Sequence, residues 1–364
     1  MNRRPFVRAA LMALALSCAA LTSPAQNVSR GVGSLRLMTY NVFQGTNYAP
    51  LLSATDLPTF IAGVGGVLAE VRASQPRSRM QALARQIAAA APTVVSLQEV
   101  NRWTSGSLNP VTLQCGTMST EFDLLDDLIA ELAALGVPYA LAAQVTQFAI
   151  PALPARLPTG QFLCVGVLDR NALLVRADVD SSRLQWRNAQ VGVFEHALPV
   201  PTPLGTLFLP NGWMSIDVTF LNRSLRMFGA HLAIDPQLRR AQGVELRAIA
   251  GASTLPVAIA MDSNAQAAPA PLDATYADFI GDGYVDGWSL AEPGLAGLSC
   301  CQLSLDGALS QLFQRVDLVL TRGAALQAQN GALFGDTAAS KTAGGLWPSD
   351  HAGVAVQYSL EPAR

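Results

Sequence analysis

Two apolar runs, Met214–Phe220 and Ser224–Leu232, lie so close in sequence that only Asn222-Arg223 marks a turn between them. A connection this short allows an antiparallel hairpin and leaves no room for a helical crossover. Elsewhere the pattern is different. Leu35–Tyr40 and Thr93–Leu97 read as strands, and before the second lies a segment with Met80, Leu83, Ile87 and Ala91 at helical spacing, closed by Pro92. Directly joined strand pairs and strand–helix–strand units in one chain argue against a purely alternating wrap. They predict an α/β (α+β) architecture, a four-layer sandwich of two packed mixed β-sheets flanked by helices.

The remaining punctuation fits that class. Residues 48–75 read as helix and loop. A helix is expected from about Thr120, with Asp123 three residues on as a capping-box signal and Gly136 closing it. Leu124, Leu125, Leu128, Ile129 and Leu132 form its apolar face. Residues 140–149 and 171–176 read as strands, 236–251 as a helix, and Val257–Met261, Val316–Leu320 and Gly353–Tyr358 as strands.

Half of the 364 residues are hydrophobic and 14% are charged, enough apolar surface for a sizeable core. At the N-terminus, Arg3, Arg4 and Arg8 precede an apolar run from Ala9 to Leu21, and Ser23-Pro24-Ala25 offers small residues for cleavage. This reads as an export signal over residues 1–25, with 26–364 as one domain after a flexible leader at 26–34; a membrane anchor is the alternative. A secreted or periplasmic, monomeric protein without a stable membrane span is expected. Loss of the leader leaves 21 basic and 26 acidic residues, and Lys341 is the only lysine. That balance gives no electrostatic footprint for tight nucleic-acid binding. Removal of Cys18 leaves Cys115, Cys164, Cys300 and Cys301, an even count that favours disulfides after export. Cys115–Cys164 with Cys300–Cys301 is one pairing and a crossed pairing is the other. No CxxC spacing or nearby histidine suggests zinc.

Most informative are the polar residues at the ends of apolar strands. Asn41 follows LRLMTY, Glu99 follows TVVSLQ, and His231 follows RMFGA. Asp262 and Asn264 follow PVAIAM, Asp317 lies in RVDLVL, and Asp350-His351 precede GVAVQ. A polar group ending a buried strand costs desolvation unless it is paired. One such residue is ordinarily a turn or a satisfied side chain; a whole series calls for another account.

The ordered set Asn41, Gln98-Glu99, His231, Asp262-x-Asn264, Asp317 and Ser349-Asp350-His351 resembles the endonuclease/exonuclease/phosphatase superfamily. That group includes pancreatic-type deoxyribonucleases, abasic-site endonucleases, bacterial sphingomyelinases and inositol-polyphosphate 5-phosphatases. The match spans residues 35–358. It extends to exported bacterial members of unassigned substrate, which carry a similar GWxSxD segment (Gly212–Asp217) and a similar CCQ (Cys300–Gln302). The resemblance implies a divalent-metal-dependent phosphoesterase, more often acting on diesters, with nucleic acid, a lipid head group or a small diester as substrate. Magnesium, or manganese or calcium in its place, suits an oxygen-rich set. Glu99, Asn41 and Asp350 would supply it, with Asp262 and Asn264 orienting water, contacting phosphate or holding a second ion. His351, paired with Asp317, would be the acid/base group, and His231 a donor to the phosphate.

Other readings stay open. Asp169-Arg170-Asn171 before ALLVR is an active-site segment, with Asp169 and Arg170 as its candidates, or an ordinary Asp–Arg turn, and Arg102-Trp103 is a substrate contact or a surface loop. The motif Met261-Asp262-Ser263-Asn264 departs from the commoner GDFN, which alters packing behind the loop. Trp103, Trp213, Trp288 and Trp347 rim a cleft or fill a core, and His196 matches nothing. Arg239, Arg240 and Gln242 read as a solvated helix face. Loops at 101–120, 144–165 and 288–312 are expected to set specificity. No amphipathic basic helix or long aromatic hairpin for membrane docking stands out. A non-catalytic exported binding protein is the competing class; its signature would be a missing site residue, and none of the set is missing.

Overall fold

The computed structural model describes residues 34–203, 205–323 and 326–360. The expected export signal therefore lies outside the described residues. The described residues form one compact unit.

In chain order the elements begin with strand β1 (Ser34–Asn41) and helices α1 (Ala49–Leu52), α2 (Leu57–Ala73) and α3 (Pro76–Ala90). Strands β2 (Val94–Gln98), β3 (Arg102–Leu108) and β4 (Cys115–Asp123) lead into helix α4 (Leu124–Ala134). A long hairpin follows, β5 (Tyr139–Arg156) with β6 (Phe162–Arg176). Then come β7 (Leu184–Val193), the short β8 (Leu198–Thr202) and β9 (Gly205–Leu209), and the pair β10 (Gly212–Phe220) and β11 (Arg223–His231). Helix α5 (Pro236–Gly251), β12 (Val257–Asp262), α6 (Ala274–Gly281), β13 (Val285–Asp286) and α7 (Gly287–Ala291) precede β14 (Asp317–Arg322), β15 (Leu326–Phe334) and β16 (Gly353–Leu360).

The strands form an eight-stranded mixed sheet, a six-stranded mixed sheet, and a separate two-stranded ribbon of β8 and β9. In the larger sheet β1 pairs β16 antiparallel and β2 parallel, and β2 pairs β6. In the smaller sheet the order is β13-β14-β12-β11-β10-β7. An apolar layer joins the two sheets face to face, with Leu35, Leu37, Val94, Leu173, Val175, Met214, Met227, Ala258, Ala260, Val319 and Val356 in it. Helices α3 and α4 cover the outer face of the large sheet through Met80, Leu83, Ile87, Leu125, Leu128 and Leu132. Helices α5 and α6 cover the outer face of the small sheet through Leu246, Ala250 and Phe279. This is the expected four-layer sandwich.

The expected hairpin forms, with its turn one residue earlier than Asn222-Arg223. Leu221 and Asn222 both have positive φ, 50° and 63°, the pattern of a type I′ turn. Where the two sheets approach most closely the chain uses glycine. A Cβ added to Gly229 would lie 2.5 Å from Ser96 Oγ of the opposite sheet.

Several expectations need correction. Asp123, rather than Thr120, caps helix α4, accepting from Asp126 N at 3.1 Å. The preceding residues are drawn into β4 by pairing with β3, so tertiary pairing overrides the local capping signal. The supposed loops at 101–120 and 144–165 are mostly strand for the same reason. The disulfides pair Cys115 with Cys164 and Cys300 with Cys301. The first clips β4 to β6 across the intervening β3, closing a loop with a sequence separation of 49. Among the described residues no helix is long and apolar enough to cross a membrane.

Candidate active site

Side chains alternate across a strand, so every second residue of each strand enters the layer between the sheets. Along most of that layer these residues are apolar. At one end the same alternation turns polar. Leu35 and Leu37 are followed by Thr39 and Asn41, and Val94 by Ser96 and Gln98. Read toward the same end, Val175 and Leu173 give way to Asn171 and Asp169, and Ala143 and Val145 to Gln147. In the smaller sheet Leu225 and Met227 lead to His231, Ala258 and Ala260 to Asp262, and Val319 to Asp317. The polar cluster is thus the continuation of the core pattern. His231, Asp262 and Asp317 are direct neighbours in the ladder, His231 opposite Asp262 and Asp262 opposite Asp317.

A cleft of about 320 Å³ opens above this end. Asn41, Glu99, His231, Asp262, Asn264, Asp350 and His351 all line it. Asp317 lies beneath, fully buried, and its Oδ2 is 2.9 Å from His351 Nδ1. The other face of that ring points at Asp262, whose Oδ2 is 3.8 Å from His351 Nε2 and 3.4 Å from His231 Nε2. Asp262 is held on every side. Asn41 Nδ2 donates to Oδ2 at 2.9 Å, and Asn264 N donates to Oδ1 at 2.9 Å. Asn264 adopts a left-handed backbone, φ 51°, while its Nδ2 donates to Leu232 O at 2.9 Å and lies 3.2 Å from His231 Nε2. Asparagine is among the non-glycine residues that best tolerate this conformation.

Glu99 also sits in the left-handed region, φ 61°, immediately after β2. Its carboxylate accepts from Asn41 Nδ2 at 3.0 Å and from Gln44 N at 2.8 Å. Asn41, expected as an oxygen ligand, presents its amide nitrogen to both Glu99 and Asp262, and its Oδ1 accepts from Phe43 N at 2.9 Å. Asp350 is the least supported of the acids. Among the described residues its carboxylate has one long hydrogen bond, from Ser349 Oγ at 3.4 Å.

Charge sets the protonation states. Burial opposes the charge on His351, but Asp317, Asp262 and Asp350 outweigh it and hold its pKa well above the usual imidazole value. Burial also acts to raise Asp262, yet the two imidazoles, Asn41 and Asn264 bring its pKa below the usual carboxylate value. Burial pushes Asp317 up despite His351. Asp350 is pushed to about 6 by burial, with Glu99 and Asp262 adding repulsion against the pull of His351 and Arg79. Asp169 is likewise raised to about 6 by burial, though Gln147 and Asn101 hydrogen-bond to it.

Several supports surround the site, and of these only Cys300–Gln302 was marked in the sequence. Arg79 is buried on α3 and donates to Val42 O, Phe43 O and Pro348 O at 2.7, 2.9 and 3.0 Å. It thereby ties the chain after Asn41 to the chain before Asp350. Its position four residues before Leu83 placed it on the buried helix face, which was the available signal. Gln147 donates to Asp169 Oδ1 at 2.5 Å and accepts from Asn171 Nδ2 and Gly212 N. Segment Ser299–Gln302 stitches the two halves of the His351–Asp317 pair together. Ser299 Oγ accepts from Asp317 N at 3.2 Å, Ala352 N donates to Ser299 O at 2.7 Å, and Gln302 N donates to Asp350 O at 2.8 Å.

Other sequence candidates fall outside the cleft. Arg170 forms a buried ion pair with Asp123, the α4 cap, while its neighbour Asp169 does line the cleft. Trp103 is buried, its Nε1 donating to Gln44 O at 3.1 Å, so it is neither substrate contact nor surface loop. Trp288 and Trp347 are core residues as well. Arg239 and Gln242 are buried, correcting the solvated-face expectation; Arg239 pairs with Asp273 and Gln242 accepts from Ala233 N at 2.7 Å. Both fasten the chain that follows His231. His196 is exposed, 2.6 Å from Glu245.

Hard cations need oxygen donors with free lone pairs. Glu99 and Asp350 meet that requirement, two acids on one cleft with Asp350 raised by burial and the repulsion of Glu99 and Asp262. The acidic and histidine groups at this end of the cleft, Asp262, Asp317 and His351 among them, could bind a metal ion.

No protein-family profile matches the sequence, and no curated protein matches it significantly. Solved structures do. An endonuclease/exonuclease/phosphatase family protein from Bacteroides thetaiotaomicron aligns with 90% of this chain and 98% of its own, at TM-score 0.56 and 14% identity. One from Leptotrichia buccalis gives the same TM-score and identity over 90% of this chain and all of its own. A mannosyl-6-phosphatase from Bacteroides thetaiotaomicron aligns at TM-score 0.55 and 13% identity, covering 90% and 100%. The two facing mixed sheets, with their polar end built from both, therefore have the fold of the endonuclease/exonuclease/phosphatase superfamily.

Proposed function

We propose that the protein is an exported hydrolase of phosphoester bonds, acting on diesters with a divalent ion. The observation that carries this reading is the meeting of the His351–Asp317 pair, His231, Asp262 and the Glu99/Asp350 acids at one cleft. Glu99 and Asp350 would hold the ion, with Asn41 fixing Glu99 in place. Such an ion supplies charge neutralisation at the phosphoryl oxygens.

The chain's own groups divide the remaining work. Asp262 stays ionised and would accept a proton from an attacking water. His351, held as a cation by its three neighbouring acids, stabilises charge that develops on the five-coordinate phosphorus. Asp317 fixes the ring through Nδ1 and leaves Nε2 toward the cleft. His231 and Asn264 stand beside Asp262 as donors to the phosphoryl group. The two-histidine, multi-acid composition suits phosphoryl transfer, where positioning and electrostatics provide most of the catalysis.

The test is hydrolysis of bis(p-nitrophenyl) phosphate with magnesium, manganese or calcium, before and after EDTA. Turnover should vanish with EDTA. His351→Ala should lower it by about 10³-fold, the range for a group acting on charge in the transition state. Equal turnover of wild type and His351→Ala would overturn the assignment.

A further inference from the structure

The cleft carries four acids, Glu99, Asp169, Asp262 and Asp350, and two imidazoles. No arginine or lysine lines it among the described residues. Arg79, the cation behind it, directs its N–H groups at main-chain carbonyls. A polyanion laid across this cleft would find no side-chain cation for its further phosphates, and favourable phosphate contacts come chiefly from such groups. The charge pattern suits a substrate with a single negative phosphoryl group.

One wall of the cleft is apolar. Leu198, Leu209 and Pro210 line it at the base of the β8–β9 ribbon, with Ile234 beside them. The ribbon register pairs Leu198 with Leu209 and Val200 with Leu207. By alternation these four share one face, which runs outward from the cleft. No charged residue occurs between His196 and Asp217. Ile234 is 75% and Leu207 38% exposed. The base of the ribbon is fastened, since Gln242 Nε2 donates to His196 O at 2.8 Å and Phe194 N donates to Asn211 O at 2.9 Å. An exposed apolar face continuous with a polar reaction centre marks a binding surface.

We infer that this ribbon face, with Ile234, binds an apolar ester arm of a monoanionic phosphodiester, and so selects amphiphilic diesters over polyanionic ones. The inference rests on the phosphodiesterase reading above. The same arm chemistry could come from a dissolved amphiphile or from a lipid in an aggregate.

A series of p-nitrophenyl alkyl phosphates, methyl through hexyl and kept monomeric, tests it. For the wild type kcat/KM should rise about threefold per added methylene over the first few carbons, the range for burying CH₂ groups. The double variant Leu207→Ser, Leu209→Ser should flatten the hexyl-to-methyl ratio. The more exposed Leu207→Ser alone should reduce that ratio partially, and serves if the double variant fails to fold. A flat wild-type series with measurable methyl hydrolysis overturns the arm site and leaves the phosphodiesterase reading standing. A steep series unchanged by Leu207→Ser and the double variant also overturns it. No hydrolysis of any member overturns both. Dihexanoyl-phosphatidylcholine assayed below and above its aggregation threshold separates the sources: a jump in rate assigns the lipid surface, a smooth curve the dissolved amphiphile.

Discussion

The smaller sheet carries two polar clusters, and they solve the problem of a buried acid differently. Near its outer strands Asp217 lies opposite Arg226, with Oδ1 2.7 Å from the guanidinium, and Arg226 also donates to Ser215 Oγ at 2.8 Å. This is the Gly212–Asp217 segment singled out in sequence, and its charge is balanced within the fold. At the strand ends Asp262 and Asp317, joined by Glu99 and Asp350 from the larger sheet, gather around two imidazoles, and among the described residues no arginine or lysine lines their cleft. A cluster whose charges cancel internally needs nothing further and serves structure. A cluster with surplus acid sacrifices stability and gains an affinity for cations.

That contrast is open to attack. After the His351→Ala test, the largest effect on a site residue that leaves the metal acids intact should come from Asp317→Asn, which removes the acceptor of His351 Nδ1. It should lower kcat by about 10²-fold or more. Because Asp317 helps raise the His351 pKa, the variant's imidazole should lose its proton at lower pH. Activity carried by the protonated ring then falls away earlier on the alkaline side. A pH–rate profile with an unmoved alkaline limb would contradict the role of His351 as a cation.

On stability, an effect of opposite sign is expected for Asp350→Asn. An unfolded carboxyl titrates near 4, whereas Asp350 in the fold titrates at about 6. Between these values the folded state holds a proton that the unfolded state has lost. Metal-free stability therefore falls as pH rises from about 4 through 6, and the full penalty applies above 6. In EDTA at pH 8 the variant should be more stable by on the order of 2 kcal/mol, and should have lost metal-dependent turnover. Thermal melts against pH decide this; a destabilised metal-free variant would refute the surplus-acid picture.

Arg226→Ala is the control from the other cluster. Leaving Asp217 without its partner should cost about 2 kcal/mol, less than for a fully buried pair because both groups retain some solvent contact. kcat of the folded variant should stay unchanged. Smallest in its bearing on chemistry is Cys115→Ser, which opens the β4–β6 clip. Denaturant titration should show a loss of up to about 4 kcal/mol, again with kcat retained.

The sequence made the strand-end acids, amides and histidines readable because their phase was already set by the apolar residues before them. Asn41 belongs to the alternation of Leu35 and Leu37, and Asp262 to that of Ala258 and Ala260. Where meaning depended on a distant partner, reading failed. Gln147 looks like an ordinary strand polar residue until the β5–β6 register places it beside Asp169 and Asn171. Arg239 and Gln242 look like surface until the chain after His231 packs down on them. The β8–β9 ribbon, with Pro199, Pro201 and Pro203, carries no strand pattern to assign, because proline donates no ladder hydrogen bond and enters strands only at edges.

His231, Asp262 and Asp317 stand shoulder to shoulder on three adjacent strands. An insertion in a connecting loop leaves that row untouched, whatever its length. One residue added inside β12 before Asp262 would send its carboxylate toward Leu246 and Phe279 and bring a methionine into the cleft. Chains of this architecture can thus drift widely in the spacing between their motifs, while the parity of each strand leading to a motif must stay fixed.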